Sequence, residues 1–161
     1  MLKGNKMIHI IYMALFVLTD RLTKYLAVKY LMPIGSVAVL DGIFNLTYVE
    51  NKGIAFGLFQ GMNWLIVPVN IVVVFICGYF LIKSIKQGKK LLSISLNLVI
   101  SGAVGNIVDK VCYGFVVDLL EFAFIDFPVF NFADVFICIG AVLIVFIILF
   151  TKDGDVFGFD K

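Results

Sequence analysis

The sequence predicts an all-α membrane protein: four transmembrane helices with a small extracytoplasmic β-sheet element. Three observations carry that fold class. Of 161 residues, 62% are hydrophobic and the mean hydropathy is +1.09, against roughly 45–50% apolar residues in soluble domains. The excess is gathered into runs that approach the ~20 residues needed to cross a bilayer. Lysines recur at every second boundary between those runs, as in a chain that keeps its basic loops on the cytoplasmic side.

The elements follow in order. The first helix, 7–31, is apolar as far as Leu18 and is then interrupted by Asp20, Arg21 and Lys24. With Lys3 and Lys6 before it, the run resembles a secretory signal, but no small-x-small cleavage site follows, so it reads as a retained helix. The outer connection, 32–61, holds two segments rich in β-branched and aromatic residues, 36–40 and 43–49. Asp41-Gly42 lies between them, a favoured hairpin turn pair. Phe44, Leu46 and Tyr48 fall on one face of the second segment, and Asn45, Thr47 and Val49 on the other. The stretch 53–60 (GIAFGLFQ) reads equally as a short interfacial helix or an irregular apolar segment. Helices over 62–83, 91–111 and 133–151 complete a single integral membrane domain, 1–161. Their main polar interruptions are Asn70, Asn97, Asn106 and Asp134.

Lys3 and Lys6 precede the first helix, Lys83, Lys86, Lys89 and Lys90 crowd the loop between the second and third, and Lys152 follows the fourth. With four spans all lie on one side, so both termini are expected in the cytoplasm. The outer connection and the segment 111–131 then face outward.

Composition also excludes. The net charge is +2, and no basic patch with interleaved aromatics suggests nucleic acid. Cys77, Cys112 and Cys138 are widely spaced, without a CxxC pair or Cys/His ligand spacing, and read as small apolar packing residues. His9 is the one histidine. It suits an interfacial or packing role, which rules out a histidine-rich metal site and weakens a Ser–His or Cys–His mechanism; no metal or cofactor is expected.

The chemistry concentrates in Asp118 and Asp134. Each is an acid in apolar sequence (GFVVDLLEF and VFNFADVFICIG), where a carboxylate is costly and marks function by default. The third helix runs outward and the fourth runs back, so their outer ends can meet although 16 residues separate the two acids. Taken alone, Asp134 could be a first-turn acid favoured by the helix dipole, and Asp118 a solvated loop acid. Together in a partly dry site they cannot both ionise readily and share a proton. One then takes a proton from an attacking water while the other protonates the carbonyl oxygen. Around them, Asp20 and Lys24 are four apart on one helix face and can pair, as a salt bridge or as substrate contacts. Asn106 and Asp109 share a face beside Lys110, with Asn106 facing either a helix neighbour or a wet cavity. Ser101, Gly102, Ala103 and Gly105 permit close helix packing. A small proton- or ion-coupled transport protein is the alternative on the same residues, since intramembrane carboxylates also serve proton relays. Against it, the acids cluster at one face and no inverted repeat is evident. A non-catalytic assembly subunit is a third reading.

Five ordered segments then resemble the lipoprotein signal peptidases, the type II signal peptidases of bacteria. DRLTK at 20–24 is similar to the family's D-x-x-[ST]-K, and NKGIAFG at 51–57 to N-x-G-x-[AS]-[FW]-G. GNIVDK at 105–110 is similar to G-N-x-x-D-R, VVDLLEF at 116–122 to V-V-D-F, and FNFADV at 130–135 to F-N-x-A-D. The resemblance implies an aspartic endopeptidase of the bacterial cytoplasmic membrane, its active site near the outer face. It would cleave diacylglyceryl-modified prolipoproteins before the lipidated cysteine, without a cofactor. It also implies contact with membrane lipids, sensitivity to globomycin-type inhibitors and a monomeric state. By residue, it makes Asp118 and Asp134 the catalytic dyad. Asn51, Gly102, Asn106, Lys110 and Asn131 would line the site or bind substrate, and Asp20, Lys24 and Asp109 would support it. Two positions depart from the pattern. Lys110 stands where the family has arginine and cannot make the forked, bidentate contact; Leu119 replaces a phenylalanine. Ile54, Phe56, Leu58 and Phe59 suit a lid over the site, or simple packing at the membrane surface.

Overall fold

The computed structural model of the chain describes residues 2–54 and 58–158, so Phe56 lies outside the described residues. Helix α1, Leu2–Leu26, runs on through a π-helical turn, Ala27–Leu31. Strands β1, Ser36–Leu40, and β2, Phe44–Asn51, precede helices α2, Asn63–Lys86, and α3, Lys90–Tyr113. Strand β3, Val116–Phe122, and helix α4, Phe132–Phe150, follow, and a 3-10 turn, Lys152–Phe157, closes the described chain.

Among the described residues, three helices are long and apolar enough to cross a membrane: α2, α3 and α4, with mean hydropathies of 2.7, 1.8 and 3.0 over their most apolar stretches. Helix α3 is the least apolar because it is the axis of the bundle. It packs against α1, α2 and α4, and its small and polar residues from Ser93 to Ser101 are buried in protein. Lipid tails are as apolar as leucine, so helix association in a membrane rests on close packing rather than on hydrophobic exclusion. Gly102 supplies that closeness: a Cβ there would collide with the Ala133 carbonyl and the Ile137 side chain of α4.

The hairpin forms where Asp41-Gly42 places it, with Gly42 at φ 68°. The sheet is larger than the hairpin, however. β3 pairs antiparallel with β2, giving the order β1-β2-β3. Asp118 is therefore not a loop acid but a strand residue opposite Val49. The partial alternation of β2 has its expected consequence: Phe44, Leu46 and Tyr48 pack together against a core of Ala27, Leu31, Val117, Leu119 and Leu120. Val116 through Leu120 are all buried, which explains a strand that reads as a continuous apolar run rather than an alternating one.

A second core, around Leu81, Leu92, Leu96, Ile100, Ile147 and Val156, lies at the end of the bundle that carries the lysine loop. The C-terminal turn is fastened there. Lys89 pairs with Asp153 at 3.0 Å and Asp155 at 3.5 Å, and Lys83 Nζ donates to the Val156 carbonyl at 2.6 Å. His9 meets Asn97 at 2.6 Å, a packing contact between α1 and α3. Cys77 packs on this core, whereas Cys112 and Cys138 lie on exposed helix faces.

Candidate active site

At the other end of the bundle, four elements converge: the end of β2, the last turns of α3, β3 and the first turn of α4. Each contributes a polar side chain, and their bonds are reciprocal. Asn131 caps α4, its side-chain oxygen accepting from Asp134 N at 3.0 Å while Asp134 Oδ2 accepts from Asn131 N at 3.2 Å. This capping box satisfies orphan amides of the helix and fixes the Asp134 carboxylate. Asn106 Nδ2 donates to its other oxygen at 2.8 Å.

Asp118 is held by two more amides. Asn131 Nδ2 donates to Oδ1 at 2.6 Å, and Asn51 Nδ2 donates to Oδ2 at 2.9 Å. Asn131 thus binds one acid through its amide nitrogen and caps the other's helix through its amide oxygen, so the two acids flank a single asparagine. Asp118 is 1% exposed. Burial pushes its carboxyl up from the ordinary 3.8 to about 7, and the charge of Asp134 pushes the same way; the Asn51 and Asn131 amides and the Lys24 cation oppose them. Asp118 therefore holds its proton to a far higher pH than an ordinary carboxyl.

Behind the pair lies a buried ionic cluster. Lys24, 1% exposed, reaches Asp20 Oδ2 at 2.9 Å, Asp109 Oδ2 at 2.8 Å and Asn106 Oδ1 at 3.0 Å. Arg21 pairs with the remaining oxygen of Asp109. Asp20 Oδ1 accepts from Ala133 N at 3.1 Å in the first turn of α4, and Gly105 leaves room for the Asp20 carboxylate, since a Cβ there would strike it. The helix-face pair Asp20–Lys24 thus forms, and it ties α1 to both α3 and α4.

Both acids open onto one cavity of about 550 Å³, lined also by Asn51, Asn106, Lys110 and Asn131. Its walls are otherwise mostly apolar, with Ile66 from α2, Phe122 and Phe130 beside the sheet, and Val135, Ile137 and Ile139 from α4. Lys110 Nζ donates to the Gly53 carbonyl at 2.6 Å, and Gly53 N donates to Asn51 Oδ1 at 2.9 Å. The lysine thereby steadies the turn after β2. Two expectations are placed differently. Gly102 does not line the cavity; it is consumed by the α3–α4 approach. The described lid residues Ile54, Leu58 and Phe59 are all exposed, and of them Ile54 lines the cavity. Arg21 and Asn70 were not singled out for the site. Arg21 sits three residues before Lys24 on the same helix face, which is the signal that could have found it.

A helical membrane protein with two carboxylates converged at one end of its bundle has the groups of a membrane-embedded peptidase, and the likenesses are to such proteins. Residues 12–150 match the family described as Signal peptidase (SPase) II, so the chain belongs to the signal peptidase II family. Among its relatives is the lipoprotein signal peptidase of Caldanaerobacter subterraneus, 43% identical over 142 residues that cover 88% of this chain and 95% of the relative. That of Clostridium acetobutylicum is 40% identical over 153 residues, 91% and 99% of the two chains. A solved structure described as a bacterial membrane enzyme superposes with a TM-score of 0.80 at 30% identity, covering 95% of this chain and 92% of the other. Nothing in these likenesses supports ion-coupled transport.

Proposed function

We propose that this chain is the membrane aspartic endopeptidase that removes the signal peptide from diacylglyceryl-modified prolipoproteins, cleaving before the lipidated cysteine, with Asp118 and Asp134 as its dyad. The observation that carries the reading is the pair itself: two carboxylates flanking Asn131 on one cavity. Family membership supplies the substrate.

The chemistry needs one proton on the pair. The ionised carboxylate draws a proton from water as the water oxygen attacks the scissile carbonyl carbon, and the protonated one donates to the carbonyl oxygen. Collapse of the diol returns a proton to the leaving amine and breaks the C–N bond. Asn51, Asn106 and Asn131 hold the carboxylates within the cavity, where misplacement by about 1 Å costs on the order of 100-fold in rate. Lys110 shapes the substrate's approach through Gly53, in the position where the family has arginine.

Four spans in one integral membrane domain fit this reading, with α1 as the first. At 25 residues α1 is about 37 Å long, and its charges Asp20, Arg21 and Lys24 are spent inside the bundle. Lysine placement then puts both termini in the cytoplasm and the dyad near the outer face of the bacterial membrane, where a lipid-anchored substrate brings its scissile bond. The proposed partners are the prolipoproteins, the surrounding lipids and globomycin-type inhibitors, met by a monomer.

The test is cleavage of a diacylglyceryl-modified prolipoprotein by purified protein in lipid, with Asp118→Asn and Asp134→Asn variants. Both folded variants are expected to lose nearly all activity. Cleavage near the wild-type rate by either one would remove that residue from the dyad.

A further inference from the structure

Helix α2 carries one polar residue between Asn63 and Gly78, and that residue is Asn70. It is half-buried on the wall of the active-site cavity, and it makes no hydrogen bond among the described residues. Its level in the bundle can be read from the helix ends. Asn63 Nδ2 donates to the carbonyl of Gly114, at 2.5 Å, so the start of α2 lies beside the end of α3. The helices are antiparallel neighbours. Seven residues down α2 therefore match seven or eight back along α3, at Asn106, whose amide holds Asp134. Asn70 lines the cavity at the level of Asn106, on walls that also carry Ile66, Ile137 and Ile139.

An amide in such surroundings is costly without a partner. Every other polar side chain identified on this cavity has one: Asn51, Asn106 and Asn131 serve the carboxylates, and Lys110 serves Gly53. Serine or alanine would build the same helix, and leucine would suit lipid better. The cavity leaves the Asn70 amide free to meet a partner that arrives with the substrate. The remaining acceptors of a lipid-modified cysteine are the two ester carbonyls of its diacylglyceryl group. An apolar wall cannot register a uniform acyl chain along its length. A single donor can, by holding the one polar point where glycerol becomes hydrocarbon.

We propose that Asn70 is a specificity residue whose Nδ2 donates to a substrate carbonyl, the ester carbonyl of the diacylglyceryl group, and so sets the depth of the lipid relative to the dyad. This rests on the cavity being the prolipoprotein site. Discrimination is its consequence, because a donor on an apolar wall that loses its acceptor penalises the ligand that lacks it.

The experiment compares two synthetic prolipoprotein peptides, one with ester-linked chains and one with the same chains joined through ether oxygens, which are poorer acceptors. Each is cleaved by the wild-type protein and by Asn70→Leu, with thermal stability measured alongside. The wild type is expected to favour the ester peptide about 10-fold in kcat/KM, as the loss of one hydrogen bond implies. Asn70→Leu is expected to lose that factor on the ester peptide, to keep its rate on the ether peptide, and to unfold no earlier. An unchanged ester rate would overturn the proposal. So would an equal loss on both peptides, which would place the contact on a peptide carbonyl, or a lower unfolding temperature, which would make Asn70 a packing residue. Should the wild type cleave neither peptide, the reading of the cavity itself fails, whatever Asn70 does.

Discussion

Asp118→Asn should change stability with a sign that depends on pH. In the folded protein the Asp118 carboxyl is pushed up to about 7 from 3.8 by burial and by the charge of Asp134. For an acid whose folded value is raised, the native state holds the proton more tightly than the unfolded chain. Stability is therefore greatest below about pH 4, falls as pH rises from 3.8 to about 7, and is flat beyond. At about 1.4 kcal/mol for each pH unit, the whole fall is on the order of 4 kcal/mol. Asparagine removes that slope. It also places an amide nitrogen against one of the two donors, Asn51 Nδ2 or Asn131 Nδ2, that now bond the carboxylate, a cost of about 1–3 kcal/mol at every pH. The variant is expected to be less stable than wild type at pH 4 and more stable at pH 8. Unfolding in one detergent at both pH values, followed by tryptophan fluorescence, measures the difference. A gap between variant and wild type that stays constant from pH 4 to pH 8 would refute the reasoning.

Cleavage by the wild type should decline as pH rises through about 7, where Asp118 gives up its proton; a rate constant from pH 6 to 9 would count against a shared proton. Lys24→Met, which removes the close cation from Asp20 and leaves Asp109 to Arg21 alone, should cost about 3–5 kcal/mol, and adding Asp20→Asn should recover part of it in a double-mutant cycle of unfolding energies. Asn131→Ala should lose about 0.5–2 kcal/mol with its cap and shift the high-pH limb of the rate profile upward, because a donor that lowers the Asp118 value is gone. Lys110→Met frees the Gly53 carbonyl and should lower kcat/KM about 10-fold, as expected for a charged hydrogen bond, measured on the same peptide.

The membrane helices were legible because hydropathy is a local property. The expected 62–83, 91–111 and 133–151 compare with Asn63–Lys86, Lys90–Tyr113 and Phe132–Phe150. The Asp20–Lys24 pair and the turn at Asp41-Gly42 were legible for the same reason. Strand β3 was not. Its VVDLLEF lacks alternation because both faces are covered, and its partner β2 ends 65 positions before it begins. Asn131 was visible as a site candidate, but its double service was not, because a residue that only caps a helix has the same local signature. Gly102 shows the converse. A small residue in a membrane helix serves close packing or substrate access equally well, and only the position of the Ala133 carbonyl decides between them.

The charges at this end of the bundle explain why the pair should keep one proton. The cluster behind it is balanced, with Asp20 and Asp109 against Arg21 and Lys24, so it leaves no surplus cation to neutralise the cavity. Among the described residues that line the cavity, the one cation is Lys110, set against the carboxylates Asp118 and Asp134. With one proton on the pair the cavity is neutral; with none it carries an uncompensated charge between apolar walls, where such a charge is expensive. Asn106 joins the two halves, accepting from Lys24 on one side and donating to Asp134 on the other. Its orientation is fixed by that cation, because only its oxygen can face the lysine. Beside the pull of the Lys24 charge on Asp118, the cluster acts on the chemistry through geometry: it turns one amide so that its hydrogen, and not its oxygen, meets the carboxylate.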